Sequence, residues 1–302
     1  MTFSEYCQTL VKNADAPVME AFRENVKLSG GYELSAPQKF RYRWEDLPFY
    51  NELKRRFPLL EIAGKGEAFD KALNLMEWLS DHTEYNGSSP LPPSPPEEIL
   101  RYSYDKGFEG AINCANKAIV LSDLLVAAHI PAMPVWLSNH MMDSHSDFFA
   151  QGWIHCVVHA YLCDRKRWVM LDPSFNSYVT DGTGVPLNLL EIFHGFTQGK
   201  QLQLGRYSLN GTDFFRERYL EDFLLPSLLI LSLWKGNARE NRVFGFSQAS
   251  VVPRNVRYIE WLNSLTSDDR FPEDSRRYIA ESLSALQVIS MGDLLLEPVS
   301  PE

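Results

Sequence analysis

A thiol, an imidazole and a carboxylate acting in series can cleave or transfer an acyl group, and the chain supplies them in that order as Cys114, His155 and Asp172. Cys114 stands at the start of a predicted helix, where Asn113 is suited to cap. The N–H groups of a first helical turn are unpaired, so with the helix dipole they favour a thiolate. They can also hold an oxyanion. Position alone does not decide the matter, because free cysteines are commonly just buried. His155 opens one predicted strand, HCVVHAYL, and Asp172 ends the next, WVML-D. If the strands are antiparallel neighbours, the histidine can take the thiol proton and return it to a leaving group. The aspartate would fix the imidazole tautomer and support its charged form. His159 competes for the role, since it lies four residues on and shares the strand face. A hairpin closed by Cys163 and Trp168 sets His159 opposite Asp172, so spacing leaves both histidines open.

The elements that must position these groups are legible around them. Ala118, Leu121, Leu124 and Leu125 recur at helical spacing in Ala115 to Ala128, and His129-Ile130-Pro131 ends that helix. Ala132 to Leu137, His155 to Leu162 and Trp168 to Leu171 read as strands, with Cys163 to Arg167 as a polar connection. Upstream, Glu67 to Ser80 reads as an amphipathic helix and Asn51 to Arg56 as a helical turn. The intervening Asn86 to Pro96, NGSSPLPPSPP, can form neither helix nor interior strand. It reads as a surface linker, with a PxxP-type ligand as the alternative. Leu187 to Phe193, Glu217 to Trp234, Arg254 to Leu265 and Ser275 to Ile289 have helical patterns. The fold class expected is α+β, a nucleophile helix packed on an antiparallel sheet with helical extensions at both ends.

The 302 residues are 45% apolar, enough for a sizeable core. A formal charge of -10 excludes broad nonspecific attraction to nucleic acid or anionic membrane. The strongest apolar run, Phe223 to Trp234, is too short to span a bilayer and reads as a buried helix or strand. Met1 to Pro17 does not read as a secretory signal, and the four cysteines form no CxxC pair, so a reducing cytoplasm is the expected compartment. His140, Asp143, His145 and Asp147 could hold a metal, but the segment has no HExxH frame and reads more simply as a polar loop. Trp136, Trp153 and Phe175 flank the candidate site and read as core, with the wall of an acyl groove as the alternative. Tyr102, Tyr104 and Asn113 are all candidates for a second oxyanion donor.

Three motifs in one order resemble the transglutaminase-like superfamily. In that family a cysteine heads a helix ending in Gly-Ile-Pro-Ala; here Asn113-Cys114 leads into VLSDLLVAAHIPAMPVWL, with His129 in the glycine place. The family's histidine strand, roughly His-Ala-Trp-x-Glu-Val-Tyr, is matched by HCVVHAYL, with His159 in the glutamate place. Its aspartate strand, Trp-x-x-x-Asp-Pro-Thr, is matched by Trp168 through Asp172-Pro173-Ser174. Cys156 and Val157 depart from the pattern. The resemblance implies a papain-like core and selects His155 over His159. The chain is then expected to divide into residues 1–60 as an N-terminal mostly helical layer, 61–186 as the transglutaminase-like catalytic core, and 187–302 as a mainly helical C-terminal extension packed on the core, a part with no counterpart in the minimal family core. The resemblance also implies a cysteine acyl-enzyme acting on a peptide, protein or small amide, without cofactor or metal. Hydrolysis is the default expectation; transfer to an amine, or a binding module without turnover, are the alternatives.

Overall fold

The computed structural model describes residues 1–15, 18–28, 48–92, 94–138, 154–228, 230–234, 250–253 and 287–289, with 266–267, 273, 276–277, 280, 295 and 297–298 as isolated positions. Its centre is a sheet in which β1 (Ala132–Ser138) pairs antiparallel with β2 (Ile154–Leu162), and β2 with β3 (Arg167–Leu171). A separate ribbon pairs β4 (Tyr178–Asp181) with β5 (Leu202–Arg206). The other edge of β1 pairs with β6 (Ile230–Trp234), followed by β7 (Ser250–Pro253) and a parallel β8 (Gln287–Ile289), giving the order β3-β2-β1-β6-β7-β8.

Side chains alternate across this sheet, and both faces are covered. Cys156, Val158, Ala160, Leu162, Val169 and Leu171 point to one core. Over them lie α3 (Pro48–Arg56), α4 (Leu59–Ala63), α5 (Ala68–His82), α6 (Pro96–Ser103) and α7 (Cys114–Ala127). Met133, Val135, Leu137, Val157, Tyr161, Trp168 and Met170 point the other way. That face is covered by α1 (Phe3–Ala14), α2 (Val18–Leu28), α8 (Leu189–Thr197) and the turns that begin with α9 (Arg216–Tyr219). The α+β class therefore stands, with the sheet as the middle layer. Among the described residues no helix is long and apolar enough to cross a membrane.

Helix α7 is buried all round from Ala115 to Ala127, which is why its apolar residues do not form a single stripe. It ends in a Schellman motif: the His129 N–H donates to Val126 O at 2.9 Å and the Ile130 N–H to Leu125 O at 2.8 Å. His129 takes the left-handed position at φ 62°, the conformation that a glycine there adopts without strain.

The C-terminal part differs from the sequence expectation. Glu217 to Trp234 reads as one buried helix, but helical backbone stops at Ser227, after a π-helical turn (Leu220–Leu224) and a 3-10 turn (Leu225–Ser227). Pro226 removes a helical N–H, and the apolar residues beyond it pair with the open edge of β1 instead. Gln287–Ile289, expected at the end of a helix, is a strand as well. Among the described residues the segment after 187 thus supplies three strands of the main sheet as well as α8 and the helical turns from α9. Arg254 to Leu265 lies outside the described residues.

Candidate active site

Cys114 is the first residue of α7, and the local sequence fixes that start from three sides. Asn113 is the N-cap: its Oδ1 accepts the Asn116 N–H at 3.0 Å. The side-chain amides of Asn113 and Asn116 both donate to the Leu91 carbonyl, at 2.9 and 3.0 Å. The proline-rich stretch therefore anchors the helix start, a role that its composition did not suggest. One turn on, the buried Lys117 donates from Nζ to Thr83 O at 2.8 Å and so closes the C-terminal end of α5. Burial pulls Lys117 down to about 7 against the opposing influence of Asp172, Glu84 and Asp81. Cys114 itself is half-buried and packs against both cores, because the end of α7 reaches the end of the sheet.

His155, His159 and Asp172 are fully buried. Observed pairing joins Leu162 to Arg167 and His159 to Met170, so the hairpin does not close on Cys163 and Trp168. Asp172 follows the last pair, Val158 with Leu171, and the chain there is heading toward the start of β2, where His155 lies. No bulge is needed. His155 Nε2 and Asp172 Oδ2 are 2.6 Å apart. The Asp172 backbone bonds reciprocally with Ser177, at 2.7 and 2.9 Å, and its Oδ1 accepts the Ser174 N–H at 2.9 Å. Burial by itself would push His155 down; the Asp172 carboxylate, by charge and hydrogen bond, and Cys114 outweigh it and lift His155 to about 10. With Nε2 taken by Asp172, Nδ1 is the nitrogen left for the Cys114 thiol, which it meets without a hydrogen bond of good geometry. Such contacts are often loose before substrate binds.

His159 is placed differently. Its ring stacks on Trp168, centroids 5.0 Å apart, neither nitrogen has a hydrogen-bond partner, and burial pushes it down to about 3. Cys156 points into the helix-side core, away from both histidines, and burial raises its thiol well above the ordinary range.

With that geometry in view, residues 59–173 match the family model described as the transglutaminase-like superfamily. That match spans 115 of the 302 residues. Searches of curated proteins and of solved structures return no match for the chain. The transglutaminase-like stretch holds Cys114, His155 and Asp172, and it ends one residue past the aspartate.

Several groups around the transglutaminase-like site were not singled out from sequence. Asn113, an oxyanion candidate on sequence grounds, has its amide committed to Asn116 and Leu91. Tyr104 stacks on His82 at 4.8 Å. Two buried hydroxyls that feel the charge of Cys114 belong instead to Tyr85, within the matched stretch, and Tyr6 of α1, outside it. The two hydroxyls lie so close to Gly87 that a Cβ there would come within 3.1 and 3.5 Å of them. From the C-terminal segment, Tyr219 donates its hydroxyl to Asp172 Oδ2 at 2.6 Å, and the Phe223 ring stands edge-on to His155 at 4.8 Å. Phe175 joins them as core, 4.6 Å from Tyr219 and 6.0 Å from His155. No local pattern marks these positions: Tyr6, Tyr85 and Tyr219 each stand among polar residues in the sequence, and a buried hydroxyl shows itself only by the partner the fold gives it. Trp153 and Asn139 to Asp147 lie outside the described residues.

Proposed function

We propose that the protein is a cysteine-dependent amide hydrolase in which Cys114 is the nucleophile, His155 the general base and acid, and Asp172 the group that orients and charges the histidine. The observation that carries this reading is the buried His155–Asp172 pair at 2.6 Å, whose free ring nitrogen is left for a thiol at the head of a buried helix. A histidine that burial would discharge is kept protonated by its carboxylate, and an imidazolium beside a thiol favours the thiolate.

The chemistry then runs in two halves. The thiolate attacks an amide carbonyl, and the new C–S bond leaves negative charge on the carbonyl oxygen. The Cys114 N–H and a hydroxyl of the Tyr6–Tyr85 pair, kept protonated by burial, are the donors for that charge. His155 gives its proton to the leaving nitrogen, the C–N bond breaks, and a thioester remains. Water, deprotonated by His155, releases the acid and restores the thiol. The substrate class is a peptide, a glutamine-type side chain or a smaller amide.

Intact-mass spectrometry of wild type and Cys114→Ala with a panel of peptide amides tests the proposal. An acyl adduct on the wild type alone is the expected result. Equal labelling of both proteins, or neither adduct nor turnover across the panel, overturns it. Added amines that divert the acyl group into amide products would replace hydrolysis by transfer.

A further inference from the structure

We propose that Tyr219 is a positioning residue for this site, delivered by the C-terminal segment to hold the aspartate that orients the histidine. The inference rests on the reading of Cys114, His155 and Asp172 given above and extends it beyond the transglutaminase-like stretch.

The carboxylate of Asp172 is held on both oxygens. Oδ2 receives His155 Nε2 and the Tyr219 hydroxyl, each at 2.6 Å, and Oδ1 receives the Ser174 N–H at 2.9 Å. A carboxylate bonded only to the imidazole is free to turn about its Cβ–Cγ bond, and the ring plane turns with it. A second donor on Oδ2 and a third on Oδ1 remove that freedom, so Nδ1 keeps one direction. Tyr219 is fully buried, and burial with the nearby carboxylate keeps its hydroxyl protonated. It can therefore donate to Asp172 without competing as a base.

The backbone around Tyr219 is unusual in ways that serve this placement. Phe215, the residue before α9, is left-handed at φ 70°. The π-helical turn starts directly after Tyr219 and brings Phe223 against the His155 ring while Tyr219 stays on Asp172. π turns of this sort tend to mark functional positions. One short segment thus touches both partners of the buried pair.

A merely structural tyrosine would stabilise the fold and leave the thiol alone, so the test reads the thiol. Iodoacetamide labelling is followed by mass spectrometry at Cys114, with the exposed Cys163 of the same protein as reference. At pH 6 wild-type Cys114 should react at least about tenfold faster than Cys163. Tyr219→Phe keeps the ring and should slow Cys114 by about three- to tenfold without changing Cys163. In the Asp172→Ala background, Tyr219→Phe should add no further loss, because both changes act through one carboxylate. Tyr207→Phe removes a hydroxyl from the same aromatic cluster, one that donates to Phe214 O at 2.6 Å, and should leave the rate unchanged. A wild-type rate in Tyr219→Phe, or an equal loss in both backgrounds, overturns the positioning role alone. Cys114 no faster than Cys163 in wild type overturns the nucleophile reading and the positioning role with it. Tyr219→Met is the second variant should Tyr219→Phe fail to fold; unfolding of both assigns Tyr219 to the fold only.

Discussion

His155 and His159 lie on the same face of one strand, both without solvent exposure, and are driven in opposite directions. Burial opposes charge on each. At His155 a carboxylate 2.6 Å away reverses the sign and raises the ring to about 10; at His159 the neighbour is the Trp168 ring, and the value falls to about 3. The lesson is that depth does not set the state of a buried imidazole; the group facing it does. The strand offers one histidine that stays charged and one that stays neutral, and only the first has the chemistry a thiol needs.

The largest expected effect separates the two by deletion. His155→Ala should reduce iodoacetamide labelling of Cys114 at pH 6 by about a hundredfold or more, whereas His159→Phe should stay within about twofold of wild type. The opposite ranking would move the role to His159. A smaller change moves one histidine toward the other: Asp172→Asn leaves His155 with burial and only Cys114 to oppose it. Its ring protons, followed by NMR, should then titrate well below 10, with about a tenfold slower thiol. A ring that still titrates near 10 would detach its charge from the aspartate. The smallest effect concerns stability. A histidine held neutral binds its proton only on unfolding, so the unfolded state gains protons between pH 6.5 and about 3 and stability falls as pH falls through that window. His159→Leu should lose up to about 2 kcal/mol less than wild type between pH 6.5 and 5, read by urea unfolding at each pH. The His155 contribution has the other sign: it is complete below 6.5 and disappears as pH rises through about 10. Equal acid sensitivity of His159→Leu and wild type would contradict a neutral His159.

The sequence reading reached the centre of the molecule well because strong patterns lie there. The helix after Cys114, the strand that follows it and the two strands that carry the histidine and lead to the aspartate are apolar runs bounded by proline or polar turns, and each appears within a residue or two of its expected ends. The choice between His155 and His159 was not legible from spacing, since a shift in how the hairpin closes changes which residue the aspartate meets. The end of the helix after Glu217 was missed because an apolar run suits helix and buried strand alike, and only the unfilled edge of β1 arbitrates. Lys117 carried a signal of its own: a lysine on a helix buried all round must find a buried acceptor, here Thr83 O.

The order of the strands has a further consequence for how the chain is made. β1 receives β2 from the residues that follow it, but its other partner, β6, pairs Val135 with Leu233, about a hundred residues later in the chain. During synthesis α7 and the hairpin after it emerge before β6, with one edge of β1 still bare. A bare edge is a template for pairing with another chain, and late closure of such long-range pairs slows folding. The nascent protein is therefore most exposed to misassembly in the interval before residue 234 leaves the ribosome, and a chain cut after the transglutaminase-like stretch would keep that open edge permanently.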